Sequence, residues 1–287
     1  MRDIYVIGSM SVDLVTEAAR SPKKGETLLG SKFFMTTGGK GANQAVSAAR
    51  LGGRVYMVGC VGDDQFGQMI LENLQANDVN IDNVETITGV ASGTASITLA
   101  EGDNSIIVVP SANFEITIDQ VRPVIEQAGD DSLIVLQNEI PVEVIEFVID
   151  AAAQRDLTII YNPAPYIEMN HELLDKVTHF TPNETEVNEL FGRQYEAVIS
   201  QYPQQMIVTL GEQGATYFDD ELINVPALKT TVVDTTGAGD TFNGALAVAL
   251  SEGQSLADAI AFGNKAAGIS VTGLGAQGGM PKREEMN

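Results

Sequence analysis

The stretch V-V-D-T-T-G-A-G-D-T-F-N-G-A-L-A-V-A-L, residues 232–250, decides how the rest of the chain is read. Its first half is a tight, Gly-rich turn. Its second half spaces Phe242, Leu246, Ala249 and Leu250 at helical intervals, which predicts a helix beginning near Asp240. Gly237 and Gly239 leave their backbone unobstructed, and the first N–H groups of a helix have no partner within it. Such a turn attracts anions, phosphate above all. Asp240 is then out of place, because a carboxylate repels the anion that the turn invites. One economical explanation is that Asp240 takes a proton from a hydroxyl attacking that phosphate. The other is that Asp240 caps the helix, the commoner role for an isolated G-x-G-D.

Upstream of this turn, helical and extended patterns alternate. A helix over 119–128 precedes a strand over 133–136, and a helix over 142–155 precedes a strand over 157–161. Further strands follow over 179–181 and 206–210. This alternation predicts an α/β fold, doubly wound, with a mostly parallel central sheet and helices on both faces. The strands end in Q-N-E (137–139), N-P-A-P (162–165), P-N-E-T-E (182–186) and G-E-Q-G (211–214). Any one of these could be an ordinary turn. Four at one edge of one sheet, beside Asp240, read as the rim of an active site.

Nearer the N-terminus, a first strand over 3–8 runs into a polar turn that carries Ser11 and Asp13. A second Gly-rich turn, G-G-K-G-A-N at 38–43, opens a helix over 44–51; its Lys40 and Asn43 are hydrogen-bonding groups held beside exposed backbone. A further strand over 54–59 and a helix from 63 to about 77 follow. Residues 92–109 carry two strand-like runs around E-G-D-N, a hairpin signal. With the extended stretch 27–35 they predict a small antiparallel β-sheet lid, formed by about 11–37 and 91–111, that excludes water from a site. Its apolar outer face could also pair with a second copy, making a homodimer.

A chain of 287 residues, 44% hydrophobic and 19% charged, can bury a sizeable core, and no linker or repeat divides it. One domain over 1–287 is expected. The net charge of −23 argues against nucleic acid or an anionic membrane as partner. No apolar run approaches the ~20 residues that span a bilayer. Cys60 is the only cysteine, so no internal disulfide forms and a cytoplasmic, reducing location is expected. His171 and His179 lack metal-ligand spacing and read as structural. No Ser-His-Asp or Cys-His arrangement suggests acyl transfer, and the first strand ends without the G-x-G-x-x-G of a Rossmann dehydrogenase.

Two motifs, G-G-K-G-A-N-Q-A-V at 38–46 and D-T-T-G-A-G-D-T-F-N-G at 234–244, with T-P-N-E-T-E and V-T-L-G-E-Q-G between them, carry a resemblance. Over essentially its whole length the chain resembles the ribokinase branch of the PfkB carbohydrate kinases. The resemblance implies ATP-dependent phosphorylation of D-ribose at O5, with Asp240 as catalytic base. The amides of Gly237, Ala238 and Gly239 would then form the anion hole. Ser11, Val12, Asp13, Gly39, Lys40, Gly41, Ala42, Asn43 and Glu139 match ribose-binding positions. Asn183, Thr209, Leu210, Gly211, Glu212, Gln213, Gly214, Gly239, Asp240 and Asn264 match positions that hold ATP. Glu186 completes an N-x-x-E pattern associated with Mg²⁺ and anion effects. Asp234, Thr236, Ser270, Gly273, Gly275 and Gly279 match the site of an activating K⁺. Ser11 stands where many ribokinases carry Asn, and Gly279 where some carry Ser. The alternatives are a related kinase for another sugar, such as 2-deoxyribose or a hexose, and a non-catalytic sugar-binding protein.

Overall fold

Ile4 and Val6 point to one side of strand β1 (Asp3–Ile7) and Tyr5 and Ile7 to the other, and apolar side chains cover both sides. The same two-sided burial recurs along the strands beside β1, as a parallel sheet between two helical layers requires. The computed structural model describes residues 1–286; residue 287 of the expected domain lies outside them. The central sheet has six strands, all parallel, in the order β10 (His179–Phe180), β9 (Thr158–Tyr161), β8 (Leu133–Leu136), β1, β4 (Arg54–Gly62), β5 (Asn80–Ile87). Helices α1 (Lys40–Arg50), α2 (Gln65–Ala76), α6 (Ala238–Ser251) and α7 (Leu256–Ser270) bury one face. Helices α3 (Ile118–Gln127), α4 (Val142–Ala153) and α5 (Glu184–Phe191) bury the other. No helix among the described residues is long and apolar enough to cross a membrane.

Strand β1 lies at the switch point: β4 follows it on one side, and β8 begins the series on the other. Ligands of such sheets bind outside the carboxyl ends of the strands at this point. Above it stands a second sheet, in the order β3 (Lys32–Gly38), β2 (Ser11–Glu17), β6 (Gly93–Ala100), β7 (Asp103–Val109). It is antiparallel at β2–β3 and β6–β7, as expected of the lid, while the middle pair β2–β6 is parallel.

Several boundaries differ from expectation. Helix α6 begins at Ala238, two residues earlier than expected, because Gly237 adopts the left-handed φ of 76° and turns the chain into the helix. Helix α1 begins at Lys40, four residues early: Ala42 N–H donates to Ser9 O at 2.8 Å, and this docking overrides the poor helix propensity of Gly41. Ser11 and Asp13 lie on strand β2, not in a turn, and of the stretch 27–35 only the part from Lys32 is extended into the sheet. The strand β11 (Ile207–Thr209) belongs to a separate antiparallel sheet with β12 (Ala215–Asp219) and β13 (Glu221–Val225). Its bridges Phe180–Met206 and Asn183–Thr209 still align it with the β10 edge, so three of the four expected strand ends, and not all four, belong to the central sheet. The β12–β13 hairpin escapes sequence reading because Asp220, at a φ of 61°, supplies the turn in place of the glycine or asparagine usually sought.

Candidate active site

Helices α1 and α6 cross closely, with Ser47 Oγ donating to Thr241 O at 3.0 Å, so both helices start at the same place. Asp240, in the first turn of α6, is buried and does not cap the helix. Its Oδ2 accepts from Asn43 Nδ2 at 2.9 Å and its Oδ1 from Gln44 Nε2 at 3.0 Å. The capping explanation therefore fails. The carboxylate is turned to α1 and held by two neutral donors.

The turn before α6 has the form an anion needs. A side chain at Gly237 would meet Ala276 O at 2.4 Å, so only glycine allows both the turn and this approach. Among the described residues, the N–H groups of Gly239 and Asp240 find no acceptor, whereas Ala238 N–H reaches Thr235 O at 3.2 Å. Asn243 fixes the first turn of the helix, donating to Gly239 O at 2.9 Å and accepting from Thr181 Oγ1 at 2.7 Å.

At the switch point, Glu139 after β8 faces Ser9 after β1. Its Oε2 accepts from Ser9 Oγ and, at 3.0 Å, from the backbone N–H of Lys40 at the start of α1. A carboxylate there complements the helix dipole, since α1 has no acid in its own first turn. Asp13, on the lid strand β2, is buried against the cavity. Burial pushes its pKa up to about 6, with the carboxylates of Glu139 and Asp240 adding to the shift and a hydrogen bond from Ser11 opposing it. Burial pulls the Lys40 ammonium down, but the nearby carboxylates of Asp240, Glu139 and Glu186 outweigh it and hold its pKa above the ordinary value. Lys40 therefore stays cationic.

Two cavities, about 450 and 220 Å³, meet at Lys40, Gly237 and Asp240. The larger lies under the lid, where Ser11, Asp13, Gly39, Asn43 and Glu139 line it together with Ala95, Ile97 and Ile106. The smaller is lined by Asn183, Glu186, Thr209 and Gly239. Of the expected sugar residues, Val12, Gly41 and Ala42 stand behind the wall, and their backbone shapes it. Residues 210–214 form a short turn outside both cavities. Asn264 spends its amide on Val225 O at 2.8 Å and Pro226 O at 3.3 Å, bracing the end of β13. Asn113, Thr181, Asn243, Gln44 and Gln277 were not singled out by sequence reading. Gln44, Thr181 and Asn243, inside the motifs G-G-K-G-A-N-Q, T-P-N-E-T-E and D-T-T-G-A-G-D-T-F-N-G, carried a local signal; Asn113 and Gln277 did not. His179 holds Gln204 O through Nδ1 at 2.9 Å, a structural role.

Asp234 accepts from Thr236 N–H at 2.9 Å and Gly275 N–H at 2.8 Å. Burial raises its pKa, but hydrogen bonds from Thr236 and Gly275 outweigh this and hold it below the ordinary value, so it is anionic at neutral pH. The loop beyond α7 folds back so tightly that a Cβ on Gly279 would lie 1.9 Å from Ser270 O. A serine at 279 would displace this loop, which accounts for glycine there. An anionic side chain beside carbonyl-rich backbone fits a large, weakly hydrated monovalent cation. Asn183 and Glu186 form the capping box of α5, Asn183 N–H donating to Glu186 Oε2 at 2.8 Å and Glu186 N–H to Asn183 Oδ1 at 2.9 Å. Glu186 Oε1 is therefore the oxygen that would meet a divalent cation taking its remaining ligands from phosphate and water.

Comparison with known proteins agrees with this architecture. The chain is 48% identical to the ribokinase of Bacillus subtilis (strain 168), over 100% of this chain and 98% of that protein. It is 36% identical to a deoxyribokinase of Salmonella typhi, over 99% and 97% of the two chains. The structure of Arabidopsis thaliana ribokinase complexed with ribose and ATP superposes with a TM-score of 0.89 at 33% identity, covering 99% of this chain and 97% of that one. With the family model for pfkB family carbohydrate kinases matching residues 1–283, this chain belongs to that family.

Proposed function

We propose that this chain transfers the γ-phosphoryl group of ATP to O5 of D-ribose, giving D-ribose 5-phosphate and ADP. One observation carries the reading: Asp240 stands in the wall shared by the two cavities, one lined by Ser11, Asp13, Gly39, Lys40, Asn43 and Glu139, which match sugar-binding positions, and the other by Asn183, Thr209 and Gly239, which match ATP positions. Ribose sits under the lid, its hydroxyls donating to Asp13 and Glu139. Asp240 takes the proton from O5 as O5 attacks the γ-phosphorus. The bond from that phosphorus to the β,γ-bridging oxygen breaks, and its electron pair leaves with ADP. The backbone N–H groups of Gly239 and Asp240, with Gly237, stabilise the charge that develops on the transferred group, and Lys40 adds positive charge on the same side.

Two cations complete this reading. Mg²⁺ would arrive with ATP and face Glu186 and Asn183. K⁺ would be held by Asp234, Thr236, Ser270, Gly273, Gly275 and Gly279. Both would supply positive charge near the developing phosphoryl charge. The chain acts as a homodimer through the lid, where Phe33, Met35, Ile107 and Val109 are exposed on the face away from the cavity.

ADP release from ATP and Mg²⁺, measured over ribose, 2-deoxyribose, fructose and adenosine in K⁺ and in Na⁺ buffer, tests the proposal. Preference for ribose with activation by K⁺ is expected. Preference for 2-deoxyribose would move the substrate; the short reach of Ser11 makes it the second candidate, because a hydroxyl here replaces the longer Asn side chain. Bound ribose with no turnover on any sugar would leave only a binding protein.

A further inference from the structure

The Oδ2 side of Asp240 is the end of a chain of side-chain amides that runs well beyond the site. Arg50 Nε donates to Asn77 Oδ1 at 2.7 Å. Asn77 Nδ2 donates to Asn73 O at 2.8 Å and reaches Asn73 Oδ1 at 3.4 Å. Asn73 Nδ2 donates to Gln277 Oε1 at 2.9 Å, Gln277 Nε2 to Asn43 Oδ1 at 2.9 Å, and Asn43 Nδ2 to Asp240 Oδ2 at 2.9 Å. Thr37, at the lid's base, gives Gln277 Oε1 a second donor at 3.2 Å.

The direction of this chain is imposed at its ends. A guanidinium only donates and a carboxylate only accepts, so the four carboxamides between them must all point the same way. At the buried end, from Gln277 through Asn43 to Asp240, amides aligned head to tail polarise and strengthen one another; Asn73 and Asn77 are half-buried. Asn43 is the link for which direction matters most. Its carboxamide has nearly the same shape when turned over, and turned over it would set Oδ1 against the carboxylate. The donor on Gln277 rules that out, and Asn73 fixes Gln277 in turn, while the Thr37 hydroxyl, able to donate or accept, bonds it in either orientation.

We infer that Arg50, Asn77, Asn73 and Gln277 are positioning residues that keep the amide nitrogen of Asn43 on Asp240. The orientation of the base is thereby set from α2 and from the loop after α7, the loop that also carries Gly275 and Gly279. The inference rests on Asp240 being the base. Gln277 is its hub: it joins the lid strand β3 through Thr37, α2 through Asn73 and α1 through Asn43.

Asn73→Asp tests it, because it is isosteric and lies outside both cavities. An acceptor at 73 makes Gln277 turn over to donate, which turns Asn43 over and faces its oxygen to Asp240. The expected result is a kcat lowered roughly tenfold to a hundredfold, the scale of a small misplacement at a reacting group, with the KM for ATP unchanged. Asn73→Leu removes the link without reversing it and is expected to lose only a few-fold. A folded Asn73→Asp with the parent kcat would overturn the inference. So would equal losses in the Asp and Leu variants, which indicate a packing role. If Asn73→Asp does not fold, Gln277→Met takes its place: it keeps the volume and deletes the donor to Asn43, and an unchanged kcat again overturns the inference. Full turnover by Asp240→Asn would instead remove the reading of the base, and the relay with it.

Discussion

Asp240 and Asp13 are both buried carboxyl groups in the cavity under the lid, and they answer to different tests. Asp240→Asn keeps the shape and one of the two contacts with α1, because its amide nitrogen cannot accept from Asn43 or Gln44, and it cannot take a proton. Its kcat is expected to fall by roughly a hundredfold to ten-thousandfold, the usual share of a general base, while calorimetry shows ribose binding as in the parent. Equal loss of binding and turnover would contradict that role. For Asp13 the pKa of about 6 lies above the 3.8 of an unfolded aspartate. The sign follows: the shift favours the folded state below 3.8, and that contribution is lost as pH rises through about 6. Sugar hydroxyls donate to the carboxylate form, so ribose binding should tighten over the same rise. The KM for ribose is expected to be roughly tenfold higher at one unit below that pKa than well above it. Asp13→Asn should raise KM and abolish this pH dependence; a KM flat in pH for the parent would refute the assignment.

At the scale of elements, the site depends on how closely α1 approaches α6. Gly244 makes the approach possible: a Cβ there would lie 2.6 Å from Gln44 O and 2.7 Å from Ser47 Cβ. Alanine is ordinarily the better helix former. Here the backbone of α1 would have to retreat, and overpacking of this kind costs about 1–3 kcal/mol. Gly244→Ala is therefore expected to lower the melting temperature and also kcat, since the retreat carries Asn43 and Gln44 away from Asp240. A variant that melts higher than the parent would show that the helices can separate freely.

Across the whole molecule, the lid carries apolar side chains on both of its faces, one toward the cavity and one away from it. Register places Ile106 and Val108 toward the cavity and Ile107 and Val109 on the opposite face. Ile107 is 70% exposed and Phe33 60%, an apolar face that a second copy would cover. Sedimentation at micromolar concentration should find a dimer, and Ile107→Asp should convert it to monomers with a higher KM for ribose because the lid loses its support. A monomeric parent would contradict this arrangement. The chain is strongly acidic, −23 overall, and the site itself sets Lys40 and the free N–H groups of α6 among the carboxylates of Asp240, Glu139 and Glu186, so a cation arriving with ATP would offset the repulsion.

Much of this was legible in residue order alone. Apolar runs at strand and helix periods declare the α/β alternation, and the two glycine-rich motifs declare helix starts, because both are local effects of backbone freedom and side-chain spacing. Asp240 stands out in sequence because its charge conflicts with the turn that holds it. The helix boundaries moved where tertiary docking overrode propensity, as Ser9 does for α1. The parallel pairing of β2 with β6, the amides of Gln44 and Gln277, and the bracing role of Asn264 were decided only by folding. Gln277 meets Asn43 across 234 positions of chain, and no periodicity or spacing encodes such a contact. Local patterning determined which segments form and which residues carry chemistry. Long-range packing alone decided which of them share a cavity, and in which direction their hydrogen bonds run.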